Sequence, residues 1–163
     1  MTFRELFEQV MQAGERFELV KQKLVRDREK VSGPHAAGFE ARVSGGRRDV
    51  MAPVDAMLDR EERTLRQAEE EFAPLADAAY EAVELVLRGL GFKWADTLTY
   101  RFVYREEWLQ VAEDVGCASR TTVWQYACAA FDWLDSCCVI DQDKDGRPHV
   151  RMLDAAAVTA DGD

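Results

Sequence analysis

The sequence lacks a long hydrophobic run. No stretch of about 18 consecutive apolar residues, the length that a membrane-spanning helix needs, occurs among the 163 residues. The Met1 end has no basic stretch leading into an apolar segment, so a secretory signal peptide is not predicted. We therefore expect a soluble cytoplasmic protein with no membrane partner.

Residues that catalysis and metal binding require are also scarce. The chain has two histidines and four cysteines. It has no glycine-rich phosphate loop, no nucleophile elbow and no paired histidine and carboxylate arrangement. The cysteines all lie in the last third, without the spacing of zinc sites or of a secreted disulfide framework. We predict free thiols, no enzymatic activity, no cofactor and no metal.

One acidic segment copies the first half of a calcium-binding loop. Residues 141–146 read DQDKDG, but Met152 stands where such a loop has its bidentate glutamate. The alternative is a tight turn between two short β-prone stretches, 138–140 and 150–153. We predict this short C-terminal β-hairpin in preference to a calcium site.

Charge is distributed unevenly along the chain. The net charge of -10 opposes indiscriminate binding to nucleic acid, because phosphate neutralisation needs clustered Lys and Arg. Residues 52–92 carry four basic and ten acidic side chains, whereas residues 93–126 carry four and five. The second of these segments is therefore nearly neutral within an acidic protein.

Two long segments have the apolar spacing of helices that pair along a narrow seam. Thr2, with Glu5 three residues later, fits the N-terminal cap of a helix whose apolar residues repeat in a heptad pattern over 3–31. The same pattern resumes over 55–90. Pro74 lies inside this second pattern and should kink or divide the helix.

The connection between the two helices, 32–53, contains four glycines, two prolines and no sustained period. We predict that it is mobile, either as a solvated connection or as an arm whose Arg42, Arg47 and Arg48 follow DNA. If it folds back, the two helices form an antiparallel hairpin. Because each seam is narrow, we expect a homodimer in which these N-terminal helices are the contact.

Three short helical segments follow, at 94–104, 107–115 and 120–136. Gly116 follows the second, where a left-handed residue would turn the chain, and Ser119 is placed to cap the third. Three short helices of this size are typical of a helix-turn-helix unit, which we predict over 93–138.

The start of the third short helix should carry the contacts to DNA. In a helix-turn-helix these positions enter the major groove, where arginine can pair with guanine and glutamine with adenine. Arg101 and Arg105 are predicted to contact phosphates. The other predicted DNA-binding residues are Ser119, Arg120, Thr121, Thr122, Trp124 and Gln125.

This region resembles a known family. The stretches LTYRFV at 98–103, WLQVAEDVG at 108–116 and SRTTV at 119–123 look like phage transcription activators of the RinA and ArpU type. Their reading head is similar to the promoter-contacting fourth region of sigma factors. A helical N-terminal half and a connection with VSGG at 43–46 match the layout of that family. The resemblance implies a phage or prophage regulator that reads a promoter or operator in double-stranded DNA.

The sequence thus predicts an all-α protein with a helical hairpin arm at 1–92, a helix-turn-helix head at 93–138, and a hairpin and tail at 139–163. Other functions stay open. The head could be an ordinary three-helix bundle with no ligand. The acidic total favours a module that binds RNA polymerase or a phage protein without strong DNA binding. A packaging protein similar to small terminases also joins a helix-turn-helix to oligomerising helices.

Overall fold

The computed structural model describes residues 1–32 and 51–153, which are mostly helical and end in a small two-stranded sheet. The predicted mobile connection, with Arg42, Arg47 and Arg48, and the tail after residue 153 lie outside the described residues. None of the helices in the described ranges is long and apolar enough to cross a membrane. The elements are α1 (Phe3–Ser32), α2 (Ala52–Gly89), α3 (Phe92–Leu98), a π-helical segment (Thr99–Val103), α4 (Trp108–Asp114), α5 (Arg120–Cys137), β1 (Cys138–Gln142) and β2 (Pro148–Met152).

The first helix begins at the predicted capping box. The Glu5 backbone N–H donates to Thr2 Oγ1 at 3.2 Å, and the Thr2 N–H donates to the Glu5 carboxylate at 2.7 Å. The hydrogen bond from the Thr2 backbone lowers the pKa of Glu5. In the second helix the division expected at Pro74 does not occur, since α2 continues through Pro74 as one helix. Proline removes one backbone donor, and the turns on either side maintain the helix.

The described residues pack as two compact units. We call residues 1–14 with 72–153 the core unit, and residues 15–32 with 51–71 the hairpin unit. The boundaries between them fall inside α1 and α2, whereas the sequence-based division falls at 92 and 138. The first turns of α1 therefore pack with the segments that follow residue 72.

The core unit has an aromatic centre. Phe7 is fully buried, and its ring centroid lies 5.7 Å from that of Phe102 and 5.6 Å from that of Phe131. The Phe3 N–H donates to the Asp135 carboxylate at 3.1 Å, which joins the start of α1 to α5. Other buried residues of α1, α2, α3 and α5 surround these rings; they include Leu6, Val10, Ala79, Ala82, Val86, Leu98, Ala130 and Leu134.

The predicted C-terminal β-hairpin is present. Strands β1 and β2 are antiparallel, with Ile140 opposite Val150. In the turn, the Asp143 carboxylate accepts hydrogen bonds at 2.8 Å from the backbone N–H groups of Asp145 and Arg147. Asp143 therefore acts as a turn residue. Among the described residues, no group of three or more His, Cys, Asp or Glu side chains is arranged to hold a metal ion.

The hairpin unit consists of two antiparallel helical stretches with little burial. Among its described apolar residues, only Leu24 and Ala68 are buried. Cations of α1 meet carboxylates of α2, and most of these charged side chains are about half exposed. The ion pairs are Arg16–Glu71 (3.0 Å), Lys23–Glu61 (3.0 Å) and Arg28–Glu62.

Candidate nucleic-acid interface

Helices α4 and α5 are joined by a tight turn. Gly116 has a φ of 71°, a left-handed conformation that glycine adopts without a steric penalty. Ser119 Oγ accepts a hydrogen bond from the Thr122 N–H at 3.3 Å and so caps α5. The two helices pack through a small buried cluster that contains Val111, Ala112, Val115 and Val123. The predicted turn and cap are therefore present.

The outward face of α5 carries most of the predicted base contacts. Arg120, Thr121 and Gln125 are exposed, and Trp124 is 52% exposed. Ser119 and Thr122 instead contact each other, with 3.1 Å between their hydroxyl oxygens, and they hold the start of the helix. Four of the six DNA-binding residues predicted in α5 and its cap are thus exposed and can meet a ligand, and the other two organise the helix end.

Two adjoining grooves in the core unit share the tryptophans Trp108 and Trp124. The first groove is lined by these two side chains with Arg120 and Thr121. The second groove extends from the same pair to Arg101 and on to α1, and its lining includes Arg4, Glu8, Met11, Gln12, Cys128 and Phe131. Three arginines from three different elements therefore line one continuous surface with two indole rings. We call this surface the arginine–tryptophan surface.

Arg101 is held in position on the arginine–tryptophan surface. Its Nη1 donates to the Glu106 carbonyl oxygen at 2.7 Å. The guanidinium carbon lies 5.1 Å from the Trp108 ring centroid, within the range of a cation–π interaction. These contacts use only some of the guanidinium N–H donors, so Arg101 can still bind a phosphate.

Arg4 is a component of this surface that the sequence does not indicate. Its Nη2 lies 3.6 Å from Cys128 Sγ, and its guanidinium carbon lies 5.7 Å from the Phe131 ring centroid. In the sequence Arg4 is an ordinary polar residue between apolar positions of α1. Only the packing of α1 against α5, through contacts such as Phe3 to Asp135, brings it beside the predicted DNA-binding residues.

Arg105 does not line either groove. It is partly buried, with a φ of 62°, and its Nη1 donates to the Val103 carbonyl oxygen at 3.3 Å. A Cβ at Gly14 would lie 2.4 Å from that Nη1, so the glycine leaves room for the arginine against α1. The phosphate contact predicted for Arg105 stays a prediction, and this placement gives it no support.

Two titratable groups of the core unit have shifted pKa values. Burial, followed by a hydrogen bond with Cys137, raises the pKa of the Cys138 thiol to about 12, so it is protonated at neutral pH. Burial and a hydrogen bond with Asp114 raise the pKa of Glu106, whose backbone carbonyl holds Arg101. The arginine–tryptophan surface offers arginine hydrogen-bond donors and flat aromatic faces, together with the Glu8 carboxylate and the Cys128 thiol.

Comparisons with models of known families, with curated proteins and with solved structures find no match for this chain. The side chains that line the grooves are therefore the basis for inferring a function. Arginine donors suit phosphate and guanine, and exposed indole rings suit bases or apolar protein side chains.

Proposed function

We propose that this protein is a DNA-binding transcription regulator in which α4 and α5 act as a helix-turn-helix. In this proposal the start of α5 enters the major groove of double-stranded DNA, with Arg120, Thr121, Trp124 and Gln125 toward base edges. Arg101 and Arg4 contact phosphates beside it. The resemblance to RinA and ArpU type activators favours a phage or prophage regulator with a sigma-like head.

The observation that carries the proposal is the convergence of Arg4, Arg101 and Arg120 on the arginine–tryptophan surface. In a chain with a net charge of -10, a local group of arginines is what a DNA contact needs. The group is small. With two arginines on phosphates, the logarithm of the binding constant should fall with that of salt at a slope of about -2.

The test selects the DNA duplexes that the protein binds from a pool of random sequences. The affinity of the protein for the enriched sequence is then measured. Arg120→Ala should lose about 1–3 kcal/mol of binding free energy there, because a bidentate contact to guanine is removed. Lys144→Ala is the matched control, since Lys144 is an exposed cation in the turn between β1 and β2. This variant should bind the enriched duplex as tightly as the wild-type protein does.

The phosphate contacts have a test of their own. Arg101→Ala and Arg4→Ala should weaken binding about equally for all duplexes and lower the salt slope by about 1 each. If selection enriches no sequence and no duplex binds at low salt, the proposal is overturned.

A second candidate is a module that binds RNA polymerase or another protein. Two observations favour it: the acidic total charge, and exposed large apolar side chains in the same region, with Leu109 at 65% and Trp124 at 52% exposed. Under this function Trp124→Ala abolishes capture of purified polymerase while no duplex binds at low salt. The duplex experiment by itself therefore distinguishes the two candidates.

A further inference from the structure

We propose that Cys137 and Cys138 form a dithiol site that binds trivalent arsenic, either as arsenite or as an organic arsenoxide. The two residues join α5 to β1, and neither of them lines the arginine–tryptophan surface. The dithiol site is therefore separate from the proposed DNA contacts, and its test does not depend on them.

The junction between helix and strand brings the two sulfurs together. Cys137 is the last residue of α5, and Cys138 already has the extended backbone of β1, with φ -131° and ψ 162°. Within a strand, successive side chains point to opposite faces. At this junction the two Sγ atoms instead lie 3.5 Å apart. The Cys138 N–H donates to the Leu134 carbonyl oxygen, and the Leu153 N–H donates to that of Cys137 at 2.8 Å, so the backbone on both sides of the pair is held.

The distance between the sulfurs selects the kind of centre that can bridge them. With sulfur bonds of about 2.3 Å, the length of a zinc–thiolate bond, a linear two-coordinate centre needs sulfurs about 4.6 Å apart. Sulfurs at 3.5 Å instead subtend about 100° at the bridging atom, an angle that suits a pyramidal trivalent centre such as arsenic(III). Tetrahedral zinc needs two further ligands, and within the described ranges no group of three His, Cys, Asp or Glu side chains supplies them.

The burial of Cys138 favours a neutral ligand over a metal cation. Cys138 is 5% exposed, and its thiol is protonated at neutral pH. A metal cation needs both cysteines as thiolates, and burial opposes the charged form. Arsenous acid is uncharged at neutral pH, and each S–H bond is replaced by an S–As bond while the proton leaves with an arsenic hydroxyl as water. Two thiols and one arsenous acid therefore give a neutral ring and two waters, with no change in oxidation state.

Cys137 gives the ligand access to the pair. Its side chain is partly exposed, and its thiol donates to the Trp133 carbonyl oxygen at 3.1 Å. The first sulfur–arsenic bond therefore forms at Cys137, and the second bond, to Cys138, is intramolecular. Closing the ring in this way should raise the affinity about 10²–10⁴-fold over that of a single thiol.

The test measures the mass of the full chain after treatment with phenylarsine oxide and then with an excess of glutathione. Glutathione, a single thiol, removes arsenic that one cysteine holds but competes poorly with a ring closed by two. The double variant Cys117→Ser, Cys128→Ser is the matched control, because both cysteines are partly exposed as Cys137 is, and it should keep one phenylarsenic group per chain. Adding Cys137→Ser to this variant should lower the affinity at least about a hundredfold.

Two further measurements test the chemistry of the ligand. Arsenite added before phenylarsine oxide should block the pair, because it forms the same ring with a hydroxyl group in place of the phenyl group. The same concentration of Zn²⁺ should leave the pair free to react. Circular dichroism should show unchanged helix content in the Cys137→Ser variant, since the position is partly exposed and ends α5.

Three results would overturn the proposal, and none of them bears on DNA binding. A wild-type chain that keeps no phenylarsenic group in glutathione has no dithiol site. A group that survives the Cys137→Ser change is held elsewhere, for example by Cys117 or Cys128. Protection of the pair by Zn²⁺ would mean that the two sulfurs bind a metal cation instead of trivalent arsenic.

Discussion

The core unit and the hairpin unit contain parts of the same two long helices, yet different interactions hold them together. In the core unit, the rings of Phe7, Phe102 and Phe131 lie with centroids 5.5 to 5.7 Å apart. In the hairpin unit, ion pairs link α1 to α2, and most of their charged side chains are about half exposed. Truncating a buried aromatic costs about 3–5 kcal/mol, whereas an exposed ion pair contributes about 0–1 kcal/mol. Stability therefore resides in the core unit.

The largest expected effect is that of Phe7→Ala. Removing this fully buried ring should lower the free energy of unfolding by about 3–5 kcal/mol, measured by urea denaturation. The matched control is Phe17→Ala on the same helix in the hairpin unit, where the side chain is only half-buried, and its cost should be smaller. Equal costs for the two variants would contradict the contrast between the units.

Gly89→Ala tests whether the core unit is closely packed at its edge. A Cβ at Gly89 would lie 2.2 Å from the Trp133 ring, so the indole would have to move out of its packing position. We expect a loss of about 1–3 kcal/mol in thermal or urea unfolding. Arg88→Ala, at the exposed neighbouring position, should change stability by less than about 0.5 kcal/mol.

Glu62→Gln removes one ion pair of the hairpin unit. Because the side chains of Arg28 and Glu62 are about half exposed, the loss should be at most about 1 kcal/mol and should vanish at high salt. Hydrogen exchange should show faster opening of amides near Arg28 and no change in the core unit. Protection lost throughout the chain would mean that the two units unfold together.

The smallest effect concerns pH and Glu106 in the core unit. Burial, followed by the hydrogen bond with Asp114, raises the pKa of Glu106 above the ordinary value of 4.5. At pH values between the ordinary and the raised pKa, the folded state therefore binds more protons than the unfolded state. The free energy of unfolding of the wild-type protein should therefore fall as the pH rises through this range. Glu106→Gln should be the more stable protein at neutral pH and lose this advantage toward pH 4.5. An advantage that does not vary with pH would exclude this cause.

Local signals in the sequence predicted local structure well. The capping box of Thr2 and Glu5, the cap at Ser119 and the left-handed Gly116 all depend on a few neighbouring residues, and each is present. The β-hairpin followed from two β-prone stretches and a turn that Asp143 organises. Such features are encoded within a single turn or loop, so a single sequence suffices to place them.

Features that depend on distant contacts could not be predicted in the same way. Arg4 joins the candidate site only because α1 packs on α5, and Gly14 gains its role only because Arg105 lies against it. The π-helical segment at Thr99–Val103 has no distinct signal in its apolar spacing. Local sterics predict a kink or a division at Pro74, and the division is absent because α2 continues past it.

The bond between the Phe3 N–H and Asp135 joins positions 132 residues apart in the sequence. During synthesis the first turns of α1 leave the ribosome long before α5 exists, by on the order of ten seconds at the usual elongation rates. Through that interval Phe3, Leu6 and Phe7 have no native partner on α5 to cover them. The nascent chain therefore presents an early apolar segment to which chaperones can bind, and the core unit closes only after α5 has been made.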